Sequence, residues 1–295
     1  KEQEQEQEQY PEQYKKMDDD AEKIVSKYYN TFGWEVKDGI TEDALKQEDL
    51  RDCAKDYVSK CRLKLLKYIP DSGGSILDMA SGPIQYKEYL EYSKNFNKRY
   101  CVDLSKLALD IAKEKINNHG VFLHGSFLDI PIEENFFDCS VSLHTIYHIN
   151  KDKQEDAVRK LIYVTKPGQP IIIVYSNPST PIIRFITFPF RLLRRIKIIL
   201  KKLFGKMKPG ENIGLYFKPH PIKWWKRFND VSNVKIMPWR TLGSDEQKWL
   251  IPNNKIGKKI FEILLILEEK FPSFFVNHFK YPMIILTKNL TKPKT

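Results

Sequence analysis

"SILDMASGPIQYKEYL", residues 75–90, decides the fold. Apolar Ile76 and Leu77 lead to an acid, Asp78; a turn of small residues follows (Ala80, Ser81, Gly82), then Pro83 and a helical pattern. The order is strand, ligand-binding turn, helix, yet the turn holds a single glycine. A dinucleotide site uses G-x-G-x-x-G so that pyrophosphate can approach bare backbone at a helix N-terminus. Here those positions hold Ala80, Gly82 and Gln85, and Pro83 removes one backbone N–H. The chain has no G-x-x-x-x-G-K-[ST] either. Such a turn suits a ligand with a ribose but no phosphates.

Outward from this turn, strands and helices alternate. Strands read at 75–79, 99–103, 121–125, 137–143 and 170–175, with helical segments at 84–94, 105–117 and 152–165 between them. Two later strands read at 234–239 and 281–288. Alternation at these lengths predicts an α/β fold: a doubly wound parallel sheet covered on both faces. Ligands of such sheets bind at the carboxyl ends of the strands. Asp103 stands there in "RYCVDLS", 25 residues after Asp78, where a carboxylate can accept hydrogen bonds from both ribose hydroxyls. Asp129, in "GSFLDIP", offers an acceptor to an adenine amino group. Adenine, ribose and no phosphate together point to S-adenosylmethionine.

Residues 75–175 resemble the class I S-adenosylmethionine-dependent methyltransferases of the small-molecule, lipid and quinone type. Four pieces carry the resemblance in order: "ILDMASGP", "CVDLS", "GSFLDIPIEENFFDCSVSLHTIYHI" and "AVRKLIYVTKPGQPIIIVYSN". It implies a seven-stranded Rossmann-like sheet whose last strand, "YPMIILTK", is antiparallel, and S-adenosyl-L-methionine as cofactor. It also implies a cofactor site made of Asp78, Ala80, Ser81, Gly82, Asp103, Leu104, Ser126, Phe127, Leu128, Asp129 and His144, with Tyr29 from the N-terminal cap. Ala80 and Ile84 depart from the family, which usually has glycine there; one methyl at Ala80 is tolerable.

Methyl transfer from a sulfonium is an in-line displacement, so the protein supplies mainly proximity and orientation. A hydroxyl or ammonium acceptor also needs a general base. "HTIYHI" offers His144, directly after the fourth strand, as base or as a neutral cofactor contact. His148 is a second candidate base or a packing residue, and Tyr147 is a pocket-lining candidate. Tyr28, Tyr29 and Trp34 of "KYYNTFGW" are candidates to close over the site; plain core is their other reading. Tyr175 and Asn177, ending the fifth strand, are candidates for the acceptor side.

The chain divides into a Glu/Gln-rich low-complexity tail (1–16), an N-terminal helical cap (17–70), a cofactor-binding core (71–178), a basic amphipathic insertion (179–218) and the C-terminal part of the core (219–290). In the cap, helices are expected at 18–30 and 44–69. With 41% hydrophobic residues the chain can fill a real core. It has no apolar run long enough for a membrane span and no signal-peptide pattern at its start, so a cytoplasmic setting is expected. Cys53, Cys61, Cys101 and Cys139 form no C-x-x-C pair, which favours reduced thiols over disulfides or a metal site.

The net charge of +11 is concentrated in one place. Residues 181–235 hold 14 Lys and Arg against Glu211 and Asp230, a net of +12. Within "FRLLRRIKIILKKLF", Leu192, Leu193, Ile196, Ile199, Leu200, Leu203 and Phe204 fall in one arc of roughly 140° at helical spacing, with the basic residues mostly opposite and Ile198 a misfit. Three readings remain open: a cap packed on the core, a peripheral contact of residues 182–204 with an anionic membrane, and a nucleic-acid footprint. The apolar arc argues against nucleic acid. The expected function is methyl transfer to a hydroxyl or amine of a small, apolar or membrane-associated acceptor. An RNA methyltransferase and a non-catalytic cofactor- or membrane-binding module are the alternatives.

Overall fold

A computed structural model describes residues 21–37, 40–204 and 215–290. The tail expected over 1–16 and the stretch 205–214 of the basic segment lie outside the described residues. A short hairpin, β1 (Val36–Lys37) and β2 (Ile40–Thr41), precedes the main sheet. The sheet strands are β3 (Gly73–Met79), β4 (Phe96–Asp103), β5 (Gly120–His124), β6 (Cys139–Leu143), β7 (Pro170–Val174), β8 (Ser232–Arg240) and β9 (Tyr281–Lys288). Their order across the sheet is β5-β4-β3-β6-β7-β9-β8. The pairs among β3 to β7 are parallel, and β9 is antiparallel to both β7 and β8. This is the expected doubly wound, Rossmann-like sheet.

The apolar strands run through the middle because both faces of a covered parallel sheet are dry. Ile171, Ile172, Ile173 and Val174 are all fully buried. Their pleat divides them: Ile172 and Val174 join the cluster of Tyr57, Leu65, Trp239 and Phe261, while Ile171 and Ile173 join that of Phe137, Leu161, Trp225 and Phe228. The helix Lys106–Ile116 starts where the Ser105 hydroxyl accepts the Ala108 N–H at 3.2 Å.

Local periodicity fails at two places. The helix expected over 44–69 is two helices, Glu42–Gln47 and Asp52–Leu63, followed by a 3-10 turn at Lys64–Lys67. Glu48 breaks it with extended backbone (φ −112°, ψ 150°) and a buried carboxylate that pairs with Arg240 at 2.7 Å and Arg62 at 3.5 Å. The helix expected over 84–94 is only a 3-10 turn at Lys87–Ser93, because Ile84 has φ +48° and cannot start a right-handed helix. The N-terminal helix Ala21–Tyr28 gives way to a π turn at Tyr29–Gly33.

The basic segment forms the helices Pro181–Ile186 and Phe188–Leu203. The second touches the core along one narrow line. Phe190 stacks on Trp249 at 5.8 Å, Arg191 meets Glu246 at 3.3 Å, and Arg194 pairs with Asp245. The reading as a packed cap is corrected here: Leu193, Ile199, Leu203 and Phe204 are 55–74% exposed, and Leu192, Ile196 and Leu200 are exposed too. The apolar arc therefore faces away from the core. Among the described residues no helix is long and apolar enough to cross a membrane.

One buried ion pair ties β3 to β4. Arg99 donates through Nε to Asp78 at 3.1 Å and through Nη1 to the Tyr89 carbonyl at 2.6 Å, and both charged side chains are almost fully buried. Removing one partner of such a pair strands the other charge at a cost of about 3–5 kcal/mol. Arg99→Met should therefore lower stability by about 3–5 kcal/mol in urea titrations; a loss below about 1 kcal/mol would mean that Asp78 is solvated or otherwise paired.

Candidate functional site

The turn after β3 is held in an unusual shape. Ala80 (φ 56°), Gly82 (φ 54°) and Ile84 (φ 48°) are all left-handed. For a residue with a side chain that region costs about 1–2 kcal/mol, so the turn must be held by its surroundings. Asp103 does much of this: its Oδ2 accepts the Gly82 N–H at 2.8 Å and its Oδ1 accepts the Ser105 N–H at 2.8 Å. The Ser81 N–H donates to the Val102 carbonyl at 3.2 Å. At Gly82 glycine is needed twice, since a Cβ there would also come within 3.0 Å of the Trp34 ring.

The turn forms one wall of a cavity of about 790 Å³. That volume is ample for a nucleoside-sized cofactor with a small acceptor. On this side it is lined by Asp78, Ala80, Ser81, Gly82, Asp103, Leu104, Ser126, Phe127 and Leu128. Tyr29 and Trp34 close it from the N-terminal cap, stacked at 4.8 Å. Glu22, Asp43 and Asp103 add negative charge to the same wall. This donor set fits a sulfonium, an ammonium and a ribose, and it disfavours phosphate. Each Asp103 oxygen keeps a lone pair beyond its backbone bond. Burial pushes the Asp103 carboxyl up to about 6, although the Ser105 and Gly82 N–H groups pull it down. Asp43 also lies at about 6, raised by burial and then by the charge of Glu48.

His144, Tyr147 and His148 line the middle of the cavity. His144 follows β6 with φ +59°, and its N–H donates to the Val174 carbonyl at 3.0 Å. Its Nδ1 shares a hydrogen bond with the Tyr147 hydroxyl at 3.0 Å, and its ring lies 4.7 Å from Trp239 and 5.2 Å from Tyr281. Burial, helped by the charge of Arg240, holds His144 far below the ordinary histidine range, so it is neutral at pH 7. His148 donates from Nδ1 to the Tyr216 carbonyl, and burial lowers it to about 4.

Other expected residues fall elsewhere. Asp129 is exposed and outside the cavity wall. Tyr28 is buried behind the wall, edge-on to Tyr29 at 5.1 Å. Tyr175 is a core residue: its hydroxyl accepts the His220 N–H at 2.7 Å and its ring packs on Trp225 at 4.9 Å. Asn177 does line the cavity, but its amide is spent on the chain, donating to the Val276 carbonyl (3.2 Å) and the Phe279 carbonyl (3.1 Å).

Several wall residues were not anticipated: Asp43, Tyr86, Arg184, Arg191, Arg240, Glu246, Lys280 and Tyr281. Topology held a signal for some of them. An antiparallel last strand starts at the edge where the parallel strands end, and Tyr281 at the start of β9 pairs with Arg240 at the end of β8. Arg240 and Lys280 stand beside β8 and β9, and Asp103 ends β4 on the other side of β6.

Residues 77–173 match the methyltransferase domain family. No curated protein sequence matches the chain. Among solved structures, the geranyl diphosphate C-methyltransferase of Streptomyces coelicolor A3(2), in complex with Mg2+, geranyl diphosphate and S-adenosyl-L-homocysteine, aligns with a TM-score of 0.52 at 13% identity, covering 91% of this chain and 98% of that one. The [4+2]-cyclase SpnF aligns with a TM-score of 0.52 at 12% identity, over 92% and 97%. At such identity these two likenesses speak for the fold alone. The domain match and the sheet it lies in make residues 77–173 a methyltransferase domain on a Rossmann-like fold.

Proposed function

We propose that the enzyme methylates a hydroxyl or amine of a small, apolar or membrane-associated acceptor in the cavity at the carboxyl edge of the sheet. The observation that carries this reading is the pairing, in one cavity, of an acidic wall with a neutral His144–Tyr147 pair beside it. S-adenosylmethionine, when bound, supplies a methyl group already activated on its sulfonium. The protein's part is to bind, orient and keep water out. Asp103 accepts the ribose hydroxyls, the Ala80–Gly82 turn carries the cofactor's backbone contacts, and Tyr29 and Trp34 cover it. His144, uncharged and hydrogen-bonded to Tyr147, faces the acceptor and takes its proton as the methyl group arrives.

The basic helix supports a membrane setting for this chemistry. Its apolar arc is exposed and basic residues flank it, which matches an anionic bilayer surface. Each basic residue near such a surface contributes about 1 kcal/mol. RNA would use the charge but would leave the apolar arc in water.

Three outcomes follow. Asp103→Ala should weaken S-adenosylhomocysteine binding by about 1.5–3 kcal/mol in isothermal titration, the range for hydrogen bonds to a charged group. In the native protein the ligand needs the carboxylate, so affinity should be flat above pH 6 and fall about tenfold per pH unit below it. Unchanged affinity in the mutant would remove Asp103 from the site. With an acceptor in hand, His144→Ala should cut kcat by about 10²–10⁴ while leaving cofactor affinity unchanged. The native kcat profile should show no histidine limb near pH 6.5, and such a limb would mean that His144 is not held neutral. Finally, the protein should float with anionic vesicles at low salt and release at high salt. Leu192→Glu and Ile199→Glu should abolish flotation without lowering Tm, since both side chains are exposed; absence of flotation in the native protein would end the membrane reading.

A further inference from the structure

The cation-rich end of the cavity needs its own account. Lys280 Nζ donates to both carboxylate oxygens of Glu246 at 3.1 and 2.9 Å, and Arg191 donates to Oε1 of the same group at 3.3 Å. Glu246 is nearly inaccessible, with a side chain only 3% exposed, so two cations share one buried negative charge. Arg184 lines the same cavity and donates only to the Pro178 carbonyl at 3.2 Å; among the described residues no carboxylate pairs with it. These four groups carry a net charge of +2 into a cavity wall. The nearby Arg240 adds no surplus, because Arg240 and Arg62 are matched by Glu48 and Glu88.

Asp103 ends β4, on one side of β3 and β6 in the sheet, whereas Lys280 precedes β9, on the other side. Lys280 directly precedes β9, and its carbonyl accepts the Asn177 N–H at 2.8 Å, just beyond the end of β7. Arg184 and Arg191 come from the two helices that follow β7. A charge surplus of two, offered by the Arg184 guanidinium, the outer N–H groups of Arg191 (whose Nε donates to the Thr187 hydroxyl at 2.9 Å) and one ammonium, matches a dianionic phosphate; Arg suits such oxygens because its planar fork donates two parallel bonds. Building on the methyltransferase reading, we propose that Arg184, Arg191 and Lys280 form an anion subsite for a phosphate group on the acceptor, remote from the atom that is methylated. The phosphate can belong to a soluble phosphomonoester or to a lipid headgroup. Arg191 sits on the basic helix itself, so a headgroup would reach the cavity beside the exposed apolar arc.

The test is binding, apart from turnover. Wild type saturated with S-adenosylhomocysteine is titrated with inorganic phosphate and pyrophosphate, followed by calorimetry and thermal shift. Saturable binding is expected, weakened about tenfold to a hundredfold in Arg184→Gln and Arg191→Gln. Arg184 is exposed and has no carboxylate partner, so its substitution leaves no buried charge unpaired and should leave Tm unchanged. S-adenosylhomocysteine should bind both variants as it binds wild type. No saturable phosphate binding, or equal binding by the variants, would overturn the subsite. Parallel loss of S-adenosylhomocysteine affinity would overturn it too, assigning these cations to the cofactor's carboxylate. Failure of wild type to bind S-adenosylhomocysteine would instead overturn the methyltransferase reading. Vesicles of phosphatidic acid against phosphatidylcholine separate the sources, both within the proposal. Loss of the phosphatidic acid preference in Arg184→Gln assigns the headgroup, and an unchanged preference beside weakened phosphate binding assigns a soluble phosphomonoester.

Discussion

The carboxylate of Asp103, shared between the Gly82 and Ser105 N–H groups at 2.8 Å each, is the contact on which the site depends. A turn with three left-handed residues, two of them carrying side chains, would not hold that shape unaided. Asp103 holds it from the neighbouring strand and, through Ser105, sets the start of the next helix. Because the group is buried, its ionisation is resisted until about pH 6. The same carboxylate thus shapes the turn after β3 and stays poised to accept further hydrogen bonds, a combination that backbone glycines alone could not provide.

The second constraint is topological. Parallel strands deliver their carboxyl ends to one edge, and the antiparallel β9 delivers its beginning to that same edge. The Asp103 carboxylate at the end of β4 and the cations beside β8 and β9 therefore lie on opposite sides of β6 along the edge of a single cavity. His144 and Tyr147, from the turn after β6, stand between the two ends. A ligand pair with a positive donor and a negatively charged acceptor would be oriented by this field before any specific contact forms.

The sheet was legible in the sequence because each strand is a short apolar run bounded by turn residues, and all seven appear. Much of this cavity wall was legible for the same reason, since strand ends fix where Ala80, Gly82, Asp103 and Ser126 must lie. What failed depends on contacts distant along the chain. The break at Glu48 answers to Arg240, far away in sequence, and no local pattern encodes it. Tyr175 ends a strand as expected, yet its side chain points into the core against Trp225, because alternation alone does not say which face a strand end turns to the ligand. The 3-10 turn after β3 follows from the left-handed Ile84, a conformation that a β-branched residue gives no reason to expect. The amphipathic pattern of the basic helix was readable, but its outward orientation was not, since periodicity defines two faces without saying which one meets the protein.

The most direct measurement is the titration of the Asp103 carboxyl carbon by NMR, with and without S-adenosylhomocysteine. In the free protein its midpoint should lie near pH 6, the value that burial imposes. On binding it should fall well below that, because hydroxyl donors stabilise the charged form. A midpoint near 4 in the free protein, or one that does not move with the ligand, would contradict the account.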